Sequence, residues 1–140
     1  MEKPTSSPSD CFVFLLSKAF QKGQKLVKNR LQPYGLTNVQ YLVLEVLWGN
    51  PGLTAAEIGE TLTVDKATMS GTLDRMAEGE WIIKTHDETD KRLIRLSPSG
   101  KAFELRETLI NERIQANETF LAGFTNEERI LLRRMLLALK

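Results

Sequence analysis

One cysteine and one histidine are all that this chain of 140 residues offers to thiol, imidazole or soft-metal chemistry. Cys11 alone cannot close an intrachain disulfide or build a cysteine-based zinc site. His86 alone cannot make a histidine-based catalytic or metal cluster. No apolar run has the length needed to span a bilayer. The N-terminal MEKPTSSPSD lacks a basic segment followed by an apolar stretch, so no secretory signal is expected. Net charge is nearly absent as well, at +1, whereas a strongly basic domain is the usual footprint of nucleic-acid binding. What remains is 41% hydrophobic and 26% charged residues, in a length suited to one compact domain. Together these predict a cytoplasmic globular protein that is not an enzyme, has no membrane association and needs no metal or cofactor.

The distribution of charge is more informative than its sum. Lys18, Lys22, Lys25, Lys28 and Arg30 meet no acid between Cys11 and Leu44. Over 61–101, Lys66, Arg75, Lys84, Lys91, Arg92, Arg95 and Lys101 are matched by Asp65, Asp74, Glu78, Glu80, Asp87, Glu88 and Asp90.

Along the chain, residues 1–9 carry Pro, Ser and Thr and read as a flexible tail. A helical rhythm follows, with Asp10 as its N-cap and Phe12, Leu16, Ala19, Phe20, Gly23, Leu26, Val27 and Leu31 at spacings of three and four. Pro33-Tyr34-Gly35 stops it. A second helix starts at Thr37 and turns Val39, Leu42, Val43, Val46 and Leu47 inward; Gly49-Asn50-Pro51-Gly52 ends it. Thr54 and Glu57 form a capping box for a short helix. Asp65 is placed to cap the next, which buries Met69, Leu73 and Met76 and closes at Gly79. WIIKT and LIRLS read as two strands of a hairpin. Ser97 as N-cap with Pro98 at the first helical position opens a long helix, and Thr125 with Glu128 caps a last one.

The two central helices, about 54–62 and 65–78, have the proportions of a helix-turn-helix. In that motif the second helix lies in the DNA major groove, its N-terminal residues reaching base edges. Ala67, Ser70 and Gly71 are small enough for close approach. Lys66, Thr68, Ser70 and Thr72 offer hydrogen-bonding groups, and Arg75 lies one turn on, where a phosphate would be met. A helix-turn-helix followed directly by a hairpin is a winged helix, whose wing needs a long cation at its tip for the narrow, electronegative minor groove. Lys91 and Arg92 provide it. Asp90 stands two residues before Arg92, close enough to orient its guanidinium by a charge-assisted pair. A winged helix used for protein contact without DNA is the rival class, and steep salt dependence would separate the two.

These residues carry a family resemblance. YGLTNVQYLVLEVLW, GLTAAEIGETLTVDKATMSGTLDRMAEGEWI and DETDKRLIRLSPSG resemble the second helix, the two reading helices and the wing of the MarR family of bacterial transcriptional regulators. The Asp-x-Arg wing signature falls on Asp90 and Arg92, and its later residues on Leu96, Ser97 and Gly100. The glycine common before the first wing strand falls on Glu80, beside Gly79. The implied fold is mainly α with a small β-hairpin wing: a winged helix-turn-helix over 36–97 within one domain, 10–140, flanked by dimerisation helices at 10–34 and 98–140. The implied DNA-binding set is Thr54, Asp65, Lys66, Ala67, Thr68, Ser70, Gly71, Arg75, Lys84, Asp90, Lys91 and Arg92.

The resemblance also implies a homodimer on double-stranded palindromic operator DNA, acting as a repressor released by a small aromatic effector near Tyr34, Tyr41 and Trp48. CFVFLLSKAF and RILLRRMLLAL agree with a dimer, since they hold more apolar side chains than one small core needs. Cys11 stands where the family's organic-hydroperoxide-sensing branch has its reactive cysteine. The tyrosines of that branch fall on Leu15, Lys25 and Asn38, which are different in kind. Peroxide sensing through Cys11 is therefore the alternative to ligand control.

Overall fold

The computed structural model describes residues 3–4 and 6–140; residues 1, 2 and 5 lie outside the described residues, and with them part of the tail expected over 1–9. The chain divides into two compact units, Leu31–Asn111 and the flanking stretches Met1–Arg30 with Glu112–Lys140.

The central unit holds α2 (Asn38–Gly49), α3 (Ala55–Leu62), α4 (Lys66–Glu78), β1 (Ile82–His86), β2 (Ile94–Pro98) and the short α5 (Gly100–Glu104). The Thr37 side chain accepts from the Gln40 N–H while Gln40 reaches back to the Thr37 N–H, and Thr54 with Glu57 does the same for α3. Each box satisfies two donors that a helix start otherwise orphans. The core gathers Tyr41, Val43, Leu44 and Leu47 from α2, Ile58 from α3, Met69, Leu73 and Met76 from α4, and Leu96 from β2. Burying each large side chain stabilises by about 1.5–3 kcal/mol. Val39, Leu42 and Val46 are only half-buried, while Gln40, Tyr41 and Leu44 are buried. The expected single stripe is too narrow because α3, α4 and β2 all pack on α2.

The hairpin pairs antiparallel from Ile82↔Pro98 to His86↔Ile94, one residue later on each strand than WIIKT and LIRLS suggest. Trp81 stays with α4, its N–H bonding the Met76 carbonyl. Ser97 and Pro98, read from sequence as N-cap and first helical residue, are instead the last residues of β2. Pro98 has no N–H to donate and so fits the end of a strand. The true cap is Ser99, whose side chain accepts from the Ala102 N–H at 3.2 Å. The helix expected to run unbroken from there is interrupted at Leu105 (φ −91°, ψ 1°) between α5 and α6 (Arg106–Phe120).

Two non-glycine residues adopt left-handed backbone, Thr63 (φ 55°) and Glu80 (φ 62°). Glu80 occupies the position where a glycine was expected from the resemblance. Gly79 caps α4 at φ −78°, and a Cβ there would lie 3.2 Å from Trp81 Cδ1. Thr63 is the costlier case because a β-branched side chain crowds its own backbone in this region. Thr63→Gly is expected to stabilise the fold by about 0.5–1 kcal/mol, the left-handed penalty less the extra freedom of glycine in the unfolded chain. A thermal melt at fixed protein concentration checks it.

The flanking unit contains α1 (Phe12–Leu31), most of α6, and α7 (Asn126–Ala138). Asp10, expected as the N-cap of α1, ends a separate 3-10 turn, Pro8–Asp10, with Cys11 between it and α1. Thr125 and Glu128 form the expected capping box. Arg129 grips both Glu118 oxygens at 3.0 Å and the Leu121 carbonyl at 2.9 Å. Arg30 reaches Glu112 at 3.4 Å. Among this unit's described residues Ala116 alone is buried. Phe12, Val13, Phe20, Ile130, Leu137 and Leu139 are exposed by half or more.

Candidate nucleic-acid interface

The turn from α3 to α4 is set by backbone geometry. The Val64 N–H bonds the Gly59 carbonyl at 2.9 Å, and a Cβ on Gly59 would lie 3.1 Å from the Val64 oxygen. Any larger residue would make the Val64 carbonyl give by a few tenths of an ångström, so glycine eases this return of the chain. The concavity so formed has a volume of about 750 Å³ and is lined by Ala55, Ala56, Gly59, Thr63, Lys66 and Ser70.

Asp65 caps α4 with both carboxylate oxygens. One accepts from the Thr68 N–H at 2.8 Å and the other from the Thr68 hydroxyl at 2.8 Å. These bonds to Thr68 pull the Asp65 carboxyl below its ordinary value. With its proton given to Asp65, the Thr68 hydroxyl presents only lone pairs outward. Lys66, Ala67 and Ser70 are exposed beside it and Gly71 is half-buried, whereas Thr72, expected on this face, is buried on the core side of α4. The Arg75 guanidinium lies over Gly71, where an added Cβ would stand 3.4 Å from Nη1. Thr54 is half-buried and committed to capping α3.

Lys84, one of the implied DNA-binding residues, is paired within the chain. Its ammonium sits 2.7 Å from Asp74 Oδ1, because β1 runs back past α4 and brings together residues ten apart in sequence.

The wing turn is organised by Asp87. Its Oδ2 accepts from the Thr89 N–H at 3.1 Å, the Thr89 hydroxyl at 2.7 Å and the Asp90 N–H at 2.9 Å. Its Oδ1 accepts from Arg95 Nε at 2.6 Å. The Arg95 and Thr89 bonds hold the Asp87 carboxyl well below the usual carboxylate range. Asp87 in turn holds the Arg95 guanidinium in its charged form. Asp90 then orients Arg92, accepting from its N–H at 3.1 Å, from Nε at 3.1 Å and from Nη2 at 3.4 Å. The Arg92 side chain nevertheless remains 93% exposed, with its unbonded edge directed at solvent. Lys91 is exposed at the tip, and its carbonyl accepts from His86 Nδ1 at 2.9 Å.

A carboxyl whose folded value is depressed stabilises the fold above its unfolded pKa, about 3.9 for Asp, and loses that effect as pH falls through the lower folded value. Asp87→Asn is therefore expected to melt below the parent protein at pH 7. The gap should narrow steadily below about pH 4. Thermal unfolding at pH 7 and pH 3 tests this, and an equal gap at both would contradict it.

The pair read from sequence, Asp90 with Arg92, is present at 3.1 Å, and Asp87 holds Arg95 in addition. Arg95 itself was missed. Its signal was its place in an otherwise apolar strand rhythm, where a lone cation calls for a partner.

Of the effector candidates, Tyr41 is buried and meets Trp48 edge-on at 6.2 Å between centroids. Its hydroxyl bonds Glu45. Trp48 Nε1 is buried with no partner among the described residues. Tyr34 is half-buried in a 3-10 turn, apart from this pair in the chain. Cys11 is exposed.

The MarR family model matches residues 34–93, the stretch that contains the helix-turn-helix and most of the wing. The organic hydroperoxide resistance transcriptional regulator of Bacillus subtilis is 32% identical over 112 residues, 75% of this chain and 76% of that protein. The HTH-type transcriptional regulator YybA of the same organism is 32% identical over 94 residues, 67% of this chain. There the match spans 63% of the relative's length. Among solved structures, that of Bordetella bronchiseptica BpsR, described in terms of regulation of its DNA binding by 6-hydroxynicotinic acid, superposes with a TM-score of 0.90. It covers 98% of this chain and 97% of that one at 20% identity, a likeness of fold.

Proposed function

The chain belongs to the MarR family of transcriptional regulators, and on that premise we propose that it is a homodimeric repressor that binds a palindromic DNA operator. The observation that carries this reading is the presentation of Arg92. A cation held by Asp90 yet 93% exposed at the tip of a wing has the form that minor-groove insertion requires. In the same unit, α4 presents Lys66, Ala67, Thr68 and Ser70 as a row of small and polar groups suited to base edges. Arg75 and Lys91 supply phosphate contacts. Lys84 contributes once phosphate displaces Asp74.

Dimerisation rests on the flanking unit. A stretch of helices with Ala116 as its one buried described residue, and with Phe12, Phe20, Ile130 and Leu137 exposed, needs a second copy to form a core. Two-fold symmetry then matches a palindromic site.

Selection of bound duplexes from random DNA tests the reading. The parent protein should enrich an inverted repeat, and Lys66→Ala should enrich an altered one. Failure to enrich any sequence would contradict the function, and an unchanged site in Lys66→Ala would remove that residue's role.

Release by a small aromatic acid is the control mode best supported. BpsR is the structural precedent, and the buried unpartnered Trp48 Nε1 is a donor that a ligand carboxylate would satisfy. The second reading is peroxide release through Cys11, favoured by the exposed thiol and by the organic hydroperoxide regulator among the relatives. Peroxide-treated Cys11→Ser separates the two. If it leaves DNA as readily as the parent protein, the thiol has no part.

A further inference from the structure

Arg95 lies on the wing but its donors are turned away from the tip. Nε bonds Asp87 Oδ1 at 2.6 Å and Nη1 bonds the Gly52 carbonyl at 2.9 Å. Gly52 belongs to the loop between α2 and α3. That loop is stitched to β2 a second time, by the Gly52 N–H on the Leu96 carbonyl at 2.8 Å and the Leu96 N–H on the Leu53 carbonyl at 2.9 Å. Asp87, fixed by Arg95, bonds the Asp90 N–H, and the Asp90 carboxylate holds Arg92. A continuous series of bonds therefore runs from the α2–α3 loop through Arg95, Asp87 and Asp90 to Arg92.

We propose that Arg95 and Asp87 are positioning residues for DNA binding, which fix the wing turn against the loop leading into α3 so that Arg92 reaches the minor groove in register with α4. The proposal rests on the DNA-binding reading above and adds residues to which no DNA contact is assigned. Two physical features support it. The pair is anchored at a main-chain carbonyl, so its position is set by the backbone of the helix-turn-helix. Asp87 also divides its oxygens, Oδ1 accepting from Arg95 and Oδ2 from the Thr89 and Asp90 donors of the turn, so loss of Arg95 frees a carboxylate whose other bonds define where Asp90 sits. An arginine is required because one planar guanidinium serves two acceptors in different directions, which a lysine ammonium does less rigidly.

Charge alone gives the opposite expectation for one variant. Asp87→Asn removes an acid from a surface that approaches phosphate, which by electrostatics should tighten binding. Positioning requires that it weaken. The test is a double-mutant cycle on a selected operator duplex, by anisotropy titration at one salt concentration. Arg95→Ala and Asp87→Asn should each weaken binding about tenfold in the parent protein, which is 1.4 kcal/mol. In an Arg92→Ala background each should cost less than about twofold, because residues acting through one contact do not add. In a Lys66→Ala background the cost should return to about tenfold, as independent contacts predict. Equal losses with and without Arg92 would overturn the proposal, whether from direct contact or from a damaged fold. So would unchanged or tighter binding by Asp87→Asn. Should the parent protein bind no duplex, it is the DNA-binding reading that fails.

Discussion

Arg92→Ala is expected to weaken operator binding by roughly 1–3 kcal/mol, about 5- to 150-fold. The size follows from what the side chain does before DNA arrives. Ordering a free arginine costs up to about 2 kcal/mol of rotamer entropy. Here Asp90 already takes the main-chain N–H, Nε and one terminal nitrogen, so part of that loss is met in the free protein. The exposed edge meets a groove whose narrowness strengthens its negative potential. Because the Arg92 side chain is 93% exposed and its hydrogen bonds among the described residues run to Asp90, two residues away, its removal should leave the melting temperature nearly unchanged. The effect is then read cleanly in a gel-shift or anisotropy titration. Undiminished affinity would refute the wing assignment.

The second large effect is expected at the flanking helices. Ile130 and Leu137 stand seven residues apart on α7, two turns along one face, and are 69% and 50% exposed. If a partner covers them, Ile130→Glu with Leu137→Glu places two carboxylates in an apolar contact at each of two related positions. Central apolar anchors are worth about 2 kcal/mol or more each on truncation, and burial of an unpaired charge adds to that. The dimer dissociation constant should rise by more than about a hundredfold, since each 1.4 kcal/mol is tenfold. Sedimentation should show monomer at concentrations where the parent protein is a dimer. Operator affinity should fall with it, because a monomer engages one half-site. A doubly substituted protein that remains dimeric would place the interface elsewhere.

The elements were legible where local chemistry decides them. Thr37, Thr54, Asp65 and Thr125 announce helix starts because a side-chain oxygen at that place satisfies orphaned N–H groups whatever the rest of the chain does. Gly79 and the Pro33-Tyr34-Gly35 stop belong with them. The Asp90–Arg92 pair was legible for the same reason, being two residues apart. What escaped was decided by distant partners. Ser97-Pro98 has the local form of a helix start, yet pairing with Ile82 and Ile83 draws both residues into β2. Leu44 and Tyr41 become core only because three other elements cover α2. Lys84 looks free until β1 passes Asp74. Arg95 is hidden in a strand rhythm, and its partners lie 8 and 43 residues away. Glu80 shows the converse: its left-handed backbone is set by the exit from α4, and the sequence supplies a side chain that the conformation does not favour.

The balance of bases and acids over residues 61–101 also acquires a physical account. Asp65, Asp74, Asp87 and Asp90 cancel bases in the sum. Each spends its charge inside the protein, on the α4 cap, on Lys84, on Arg95 and on Arg92. Lys66, Arg75, Lys91 and Arg92 remain exposed on α4 and the wing, beside the exposed acids Glu78, Glu80 and Glu88.

The most direct measurement is the salt dependence of binding between the dimer and its selected operator. If α4 and the wing of two subunits neutralise several phosphates, log Kobs should fall linearly with log salt at a slope of about −4 or steeper, near −0.9 per phosphate neutralised. An affinity that stays flat between about 50 and 200 mM salt, the range over which phosphate contacts lose orders of magnitude, would contradict the account.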